Sequence, residues 1–269
     1  AIINKLPPPK GTMNEKLKES SLTINIEDSI LDDVLNRVNN SRLMNDFGNK
    51  EWKYGTEETY LRDLINYWSN NYDWKKHEKE INKFSHYKIE IDNIPIHFIY
   101  EKGSSENSKP LILTHGWPWT FWDYKKIIEP LAHPEKYDGN ASDSFDVIIP
   151  SLPGYGFSTP LKETGINFWK TSDIWVKLMT NILGYKKFFA HGGDWGAAVT
   201  LQLGHKYSEI VPAIHTHMAV PIDFVTNPHP DISFYSDSEK KWHEKNMNFV
   251  TEGNGYFQIQ ASRPQTLAY

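Results

Sequence analysis

Lys186-Lys-Phe-Phe-Ala-His-Gly-Gly-Asp-Trp-Gly-Ala-Ala-Val-Thr-Leu-Gln-Leu-Gly204 is the stretch that decides the fold of this chain. Its first part, KKFFAHG (186–192), is a short apolar run of strand type. Its last part, AAVTLQLG (197–204), has the small residues of a tightly packed helix. Between them stands Gly192-Gly193-Asp194-Trp195-Gly196. The spacing is that of a strand–turn–helix elbow, Gly-x-nucleophile-x-Gly, with Asp where the nucleophile belongs. Flanking glycines permit the sharp turn that lifts one side chain above a sheet. A carboxylate is ionised at neutral pH, so it attacks an sp³ carbon without a partner base and leaves an ester. The same five residues also read as a Gly-rich turn whose Asp caps the following helix. Neighbouring strand ends decide between the two.

Working outward, HYKIEIDNIPIHFIYEK (86–102) alternates with period two. Ile89 and Ile91 precede Asp92-Asn93, and Ile94, Ile96 and Phe98 follow it, which predicts a β-hairpin. PLILT (110–114) is a continuous apolar run ending in His115-Gly116, and FDVIIPS (145–151) runs into PGYGFS. A helix follows with Trp175, Leu178, Met179 and Ile182 on one face, stopped by Gly184. IVPAIHTHM (210–218) is a sixth strand candidate. Apolar strands alternating with helices predict a mostly parallel sheet covered on both faces. Ligands then bind beyond the carboxyl ends of the strands, where three Gly-rich turns fall.

His115-Gly116-Trp117-Pro118 follows an earlier strand in the place of a second oxyanion-hole element. The backbone N–H groups of Trp117 and Trp195 are expected to point at one developing oxyanion. Pro118 keeps Trp117 out of the helical region. His115 reads as a packing and hydrogen-bonding residue, and Gly116, Gly192, Gly193 and Gly196 as residues that support the turns. Pro153-Gly154-Tyr155-Gly156-Phe157-Ser158 reads as a structural loop passing close to the site.

Upstream, AIINKLPPPKG (1–11) reads as an extended arm and TINI (23–26) as a short strand. Ile30, Leu31, Val34, Leu35 and Val38 have helical spacing, as do Tyr60, Leu61, Leu64, Ile65 and Trp68 behind Thr56 as N-cap. KKHEKEINKF (75–84) reads as an exposed helix. Trp52, Trp68 and Trp74 are expected to pack this arm on the core, and Trp119, Phe121 and Trp122 to open a packed helix. The chain has 269 residues and no cysteine, so a disulfide scaffold or a thiolate metal site is excluded. A net charge of -5 with 23% charged residues argues against wholesale nucleic-acid binding. No apolar run reaches the roughly 18 residues of a membrane span. Aromatics at 14% suit an apolar pocket.

HGWP, PGYGFS and GGDWG together resemble the epoxide hydrolases of the α/β-hydrolase fold. TYLRDLINYWSNNYDWKKHEKEINKFSHYKIEIDNIPIHFIYEK (59–102) is similar to the N-terminal extension of their microsomal and juvenile-hormone type. The resemblance implies that Asp194 opens an epoxide by backside attack. The leaving alkoxide needs a proton, which the family takes from tyrosines in a lid inserted after the sixth strand. Here the lid is expected to begin near Val220. Gly255-Tyr256-Phe257-Gln258-Ile259-Gln260 with Arg263-Pro264-Gln265-Thr266 resembles the segment bearing the first such tyrosine, which makes Tyr256 the implied donor. Tyr269 reads as packing.

The resemblance also implies an ester-hydrolysing His and an acid after further strands. None is legible after the sixth strand, and His205, His215, His217, His229 and His243 read as structural or surface residues. The expectation is an incomplete copy that lacks the base. The expected layout is an extension over 1–85, the first part of an α/β-hydrolase core over 86–219 and the start of a lid over 220–269, with C-terminal strands missing. No metal or cofactor is expected. The expected partners are a small apolar epoxide and water, not nucleic acid, with a homodimer left open and a cytoplasmic location. The rival readings are a haloalkane dehalogenase, whose Trp195 indole N–H would bind halide, and a non-catalytic α/β-hydrolase-like protein.

Overall fold

The computed structural model describes residue 17 and residues 19–218 and 231–268. The arm over 1–11, the lid start at Val220, His229 and Tyr269 lie outside the described residues. By internal contacts the chain divides into residues 1–219 and 220–269.

The first unit is built on a seven-stranded sheet in the order β1-β2-β3-β5-β4-β6-β7. The hairpin forms as its pattern requires. β2 (His86–Ile91) pairs antiparallel with β3 (Ile94–Glu101), and Asp92 and Asn93 both take positive φ in the two-residue turn. β3 pairs antiparallel with β5 (Phe145–Pro150). From there the sheet is parallel: β5 with β4 (Lys109–Thr114), β4 with β6 (Phe189–Gly192), and β6 with β7 (Ile214–Thr216). The continuous apolar strands bury both faces. Ile112, Ile148 and Phe98 join one core with Trp175, Leu178, Met179 and Leu203. Those side chains come from α5 (Phe168–Lys177), the turn after it and α6 (Trp195–Lys206). Leu111, Leu113, Val147 and Ile149 join the other core with Phe121, Tyr124 and Ile128 of α4 (Ile128–Ala132) and the 3₁₀ turn Phe121–Tyr124. β7 is shorter than the 210–218 pattern, because Pro212 has no N–H to offer a ladder. The helix after β5 widens into a π turn over Leu178–Ile182 before Gly184, at φ +76°, ends it.

The N-terminal extension departs from expectation in four places. The edge strand β1 is Ser21–Leu22, not 23–26. Beyond it, side chains replace a neighbouring strand. The Asn82 amide accepts from the Ile24 N–H at 2.9 Å and donates to the Ile24 carbonyl at 2.7 Å, and Glu78 accepts from the Ile26 N–H at 2.7 Å. α1 (Asp28–Asn39) and α2 (Glu58–Asn71) form, but Glu57, not Thr56, sits at the N-cap of α2. The Asp46 carboxylate takes the Glu58 N–H instead, while Glu58 accepts from the Asp46 N–H. α3 (Trp74–Ile81) is not an exposed helix, since Ile81 and Glu78 are buried against the core. Trp74 docks with it, its ring N–H on Glu78. Trp52 and Trp68 do not pack on the core: they lie 48% and 40% exposed and pack locally edge to face against Tyr60 and Tyr72. Outside the extension, after β4, Trp119 is exposed rather than packed, while Phe121 is buried in the 3₁₀ turn.

The second unit, taken by itself, is helical. A capping box of Ser236 and Glu239 starts α7 (Asp237–Asn248), and α8 (Gly255–Ser262) and α9 (Pro264–Ala268) follow. Tyr256 stands in the first turn of α8, partly exposed. Among the described residues no helix is long and apolar enough to cross a membrane.

Candidate active site

Three strand ends meet here because β5, β4 and β6 are neighbours in the parallel part of the sheet. β6 ends at Gly192, and the chain reverses through Gly193 and Asp194 into α6. Asp194 has φ 53° and ψ -126°, a conformation rare for a residue with a side chain and costly to hold. The turn is tight enough to exclude a Cβ at Gly196, which would sit 1.9 Å from the Thr114 carbonyl oxygen. Gly192 lies buried directly under the Gly196 carbonyl.

β4 delivers the second element. Thr114 is buried, its hydroxyl accepting from the Trp175 ring N–H at 3.1 Å and its carbonyl from the Tyr124 hydroxyl at 2.8 Å. His115 is also buried, with Nδ1 at 3.0 Å from the Gly116 carbonyl and Nε2 accepting the Leu152 N–H at 3.0 Å. A carbonyl only accepts, so Nδ1 carries the proton and both ring nitrogens are engaged. Burial pushes this imidazole below its ordinary pKa. His115 is therefore a neutral brace between the β4 and β5 loops. The next peptide, Trp117–Pro118, is cis.

The two elements converge on one atom. Trp117 N–H donates to Asp194 Oδ1 at 2.9 Å, and Trp195 N–H donates to the same oxygen at 2.7 Å. Gly116 abuts the carboxylate so closely that a Cβ there would lie 2.4 Å from Oδ1. Within the first unit, among the described residues, Asp194 Oδ2 carries no hydrogen bond and no imidazole bonds to the carboxylate. Asp194 is thus both the cap of α6, as the plainer reading of the pentapeptide has it, and the residue on a strained elbow. The arrangement holds one carboxylate oxygen between two backbone N–H donors and leaves the other without a donor among the described residues of the first unit.

The β5 loop contributes more than backbone. Gly154 and Gly156 take positive φ, and Tyr155 between them rests on His115 with ring centroids 5.4 Å apart. Burial, and then the Asp194 charge, raise the Tyr155 hydroxyl above its usual pKa. Beyond the elbow, the His217 ring fills the space beside Gly193, and His191 and His215 stack next to it. Sequence reasoning assigned these residues no part in the site. The available signal was registration: His191 and His215 fall opposite each other when β6 and β7 are aligned from their Gly192 and Thr216 ends. Tyr256 belongs to the second unit. Among the described residues no group of three or more His, Asp or Glu is placed to hold a metal ion.

Residues 19–124 match the family described as epoxide hydrolase N terminus, and residues 109–254 match the alpha/beta hydrolase fold family. A relative in Stigmatella aurantiaca, carrying a provisional epoxide hydrolase name, is 36% identical over 247 residues, which is 91% of this chain and 55% of the relative. Epoxide hydrolase 1 of Oryctolagus cuniculus is 30% identical over 278 residues, covering 96% of this chain and 60% of that protein. The chain thus spans little more than half the length of these relatives. The solved epoxide hydrolase of Aspergillus niger superposes with a TM-score of 0.79 at 25% identity, covering 92% of this chain and 64% of the other.

Proposed function

The chain belongs to the α/β-hydrolase fold family, in the branch that carries the epoxide hydrolase N terminus, and from that membership we propose that Asp194 opens an epoxide to an ester on its way to a vicinal diol. The observation that carries this reading is the division of labour on Asp194: Oδ1 takes two backbone N–H groups, and Oδ2 takes none among the described residues of the first unit.

In the proposed chemistry Oδ2 attacks one epoxide carbon from behind. The carbon–oxygen bond breaks, its electron pair stays on the epoxide oxygen, and that alkoxide takes a proton from the Tyr256 hydroxyl. A phenol hydroxyl is a general acid suited to a developing alkoxide. The product of this step is a hydroxyalkyl ester with Oδ2 as the ester oxygen and Oδ1 as its carbonyl. Water attack on that ester builds negative charge on Oδ1, the atom already held by Trp117 and Trp195. A preformed pair of N–H donors at that place is the form of electrostatic help that ester hydrolysis needs. The attacking water also needs a base, and none of the described histidines of the first unit bonds to Asp194. We therefore propose that residues 1–269 alone are alkylated once and do not turn over. The substrate we propose is a small apolar epoxide, for which exposed Trp119 and Trp195 provide apolar surface on the loops that carry the hole.

Intact-mass spectrometry after incubation with a simple aryl epoxide tests the reading. The expected result is a mass gain of one epoxide per chain, located on Asp194 and absent from Asp194→Ala. Equal adduct formation by Asp194→Ala overturns the assignment. Steady diol production by residues 1–269 overturns the single-alkylation part.

A further inference from the structure

We propose that His217, steadied by His191 and His215, is a positioning residue of the Asp194 elbow, and that charging these three imidazoles withdraws it. His191 on β6 and His215 on β7 are register partners on adjacent parallel strands, so their rings meet on one face. The rings stack with centroids 4.9 Å apart, and the two Nδ1 atoms lie 2.8 Å apart. His191 Nδ1 is also 3.1 Å from the His215 carbonyl. His217, two residues on, brings its ring 5.5 Å from that of His191 and lays its Nε2–Cε1 edge where a Cβ of residue 193 would be, 1.9 Å from that point. The imidazole therefore supplies, from the end of β7, the side-chain bulk that Gly193 lacks. It does so at the residue just before Asp194, which is held in a strained conformation and needs support from its surroundings.

The support depends on protonation. A single proton between the two Nδ1 atoms satisfies both, one nitrogen donating and the other accepting. A second proton there sets N–H against N–H and puts a positive charge on one ring, in contact with the N–H of the other. Burial and the two neighbouring imidazoles already disfavour charge on His191. The titratable group facing His191 from the 3₁₀ turn Phe121–Tyr124 is the Tyr124 ring, 5.8 Å away, and burial keeps that phenol protonated. β4 offers Leu113 as the register partner of His191. Among the described residues no carboxylate hydrogen-bonds to any of the three rings, and the carboxylate of the elbow itself, Asp194, has Oδ1 engaged by the Trp117 and Trp195 N–H groups. His217 lies beyond the last paired residue of β7, whereas His191 and His215 are tied into the ladder. His217 is accordingly the ring that moves, and the elbow loses its brace on that side.

The proposal uses the proposed Asp194 chemistry only for its activity readout, so two measurements are paired. The backbone amide signals of Gly193 and Trp195 are followed by NMR between about pH 4.5 and 8.5, spanning the ordinary histidine range. Over the same range the rate of epoxide adduct formation is followed by intact mass, each profile normalised to its own plateau. The chains compared are the wild type, His217→Asn and His191→Gln, with far-UV circular dichroism as the folding check. In the wild type both amides shift with a midpoint between about pH 5 and 7, and the adduct rate falls at least about threefold over that step. In both variants the step shrinks or moves by about half a pH unit or more, and the acid fall in rate shrinks or moves with it. A wild-type profile without a step in the histidine range, or variants that retain an unchanged step, overturns the proposal. Amides that titrate as expected with no adduct at any pH support the positioning role and overturn the epoxide reading instead.

Discussion

Trp117 and Trp195, one after β4 and the other opening α6, aim their backbone N–H groups at a single oxygen, Oδ1 of Asp194, at 2.9 and 2.7 Å. Their convergence requires the chain before Trp117 to pass the carboxylate with no side chain in between, which is the role of Gly116. Gly116→Ala places a methyl group on Asp194 and pushes the two donors apart. Adduct formation is expected to fall by about 100-fold, because the methyl group displaces the attacking carboxylate from its position by about 1 Å. Intact-mass kinetics on a variant with unchanged circular dichroism measures this, and a loss under about threefold would show that the placement of Asp194 by Gly116 is not used.

Tyr256 separates the two alkylation chemistries. An epoxide oxygen must be protonated as it leaves, while a halide leaves without a proton. Tyr256→Phe is expected to slow epoxide adduct formation by at least about 100-fold, as removal of a general acid does, and to leave displacement from a bromoalkane within about threefold. Equal effects on both substrates would remove Tyr256 from the role of donor.

The buried pair His86 and His97 sets the acid stability. His86 Nε2 must donate to the Ile81 carbonyl, so its Nδ1 accepts from His97 Nε2 at 2.9 Å, and His97 Nδ1 accepts from the Ser151 hydroxyl at 2.9 Å. The chain of bonds is complete only with both rings neutral. Burial, then the His86, Lys88 and His115 charges, lower His97 from 6.5 to about 3. Between those values the unfolded chain takes up a proton that the native state refuses. Stability is therefore full above about pH 6.5 and falls as the pH drops toward 3, by up to about 1.4 kcal/mol per pH unit for this one group. Urea unfolding from pH 7 to 4 is expected to show this slope, and His97→Gln to flatten it. A wild-type slope no steeper than that of His97→Gln would show that the pair does not govern it.

Asn82 tests how the N-terminal extension is fastened. Its amide both donates to and accepts from the Ile24 backbone. Asn82→Asp keeps the acceptor but sets a carboxylate oxygen against the Ile24 carbonyl. A loss of about 1–3 kcal/mol in urea unfolding is expected, the cost of an unmatched polar group in a partly buried site. Asn82→Ala serves as the comparator, and a larger loss there than in Asn82→Asp would mean that repulsion at Ile24 is not the cause.

The elements that the sequence made legible are those whose cause is local. Period-two alternation around Asp92-Asn93 is enough to specify a hairpin, because side chains in a strand alternate sides whatever lies beyond. Glycine spacing around Asp194 marks the elbow, because only glycine fits where backbone meets backbone. The helices of the extension were legible as helices, but not the fate of their apolar stripes: Tyr60, Leu64 and Trp68 of α2 turn out exposed. Periodicity tells which face of a helix is apolar, not whether another element covers it.

What the sequence by itself determined was the type and order of the strand ends, and from them the parallel sheet and the chemistry expected at Asp194. The tertiary structure alone decided which atoms meet. It put two N–H groups on Oδ1, made His115 a neutral brace, substituted Asn82 for a strand partner and stacked His191 with His215 and His217. Each of these depends on strand order and register, and a contact between residues far apart in the chain leaves no periodic mark in either segment.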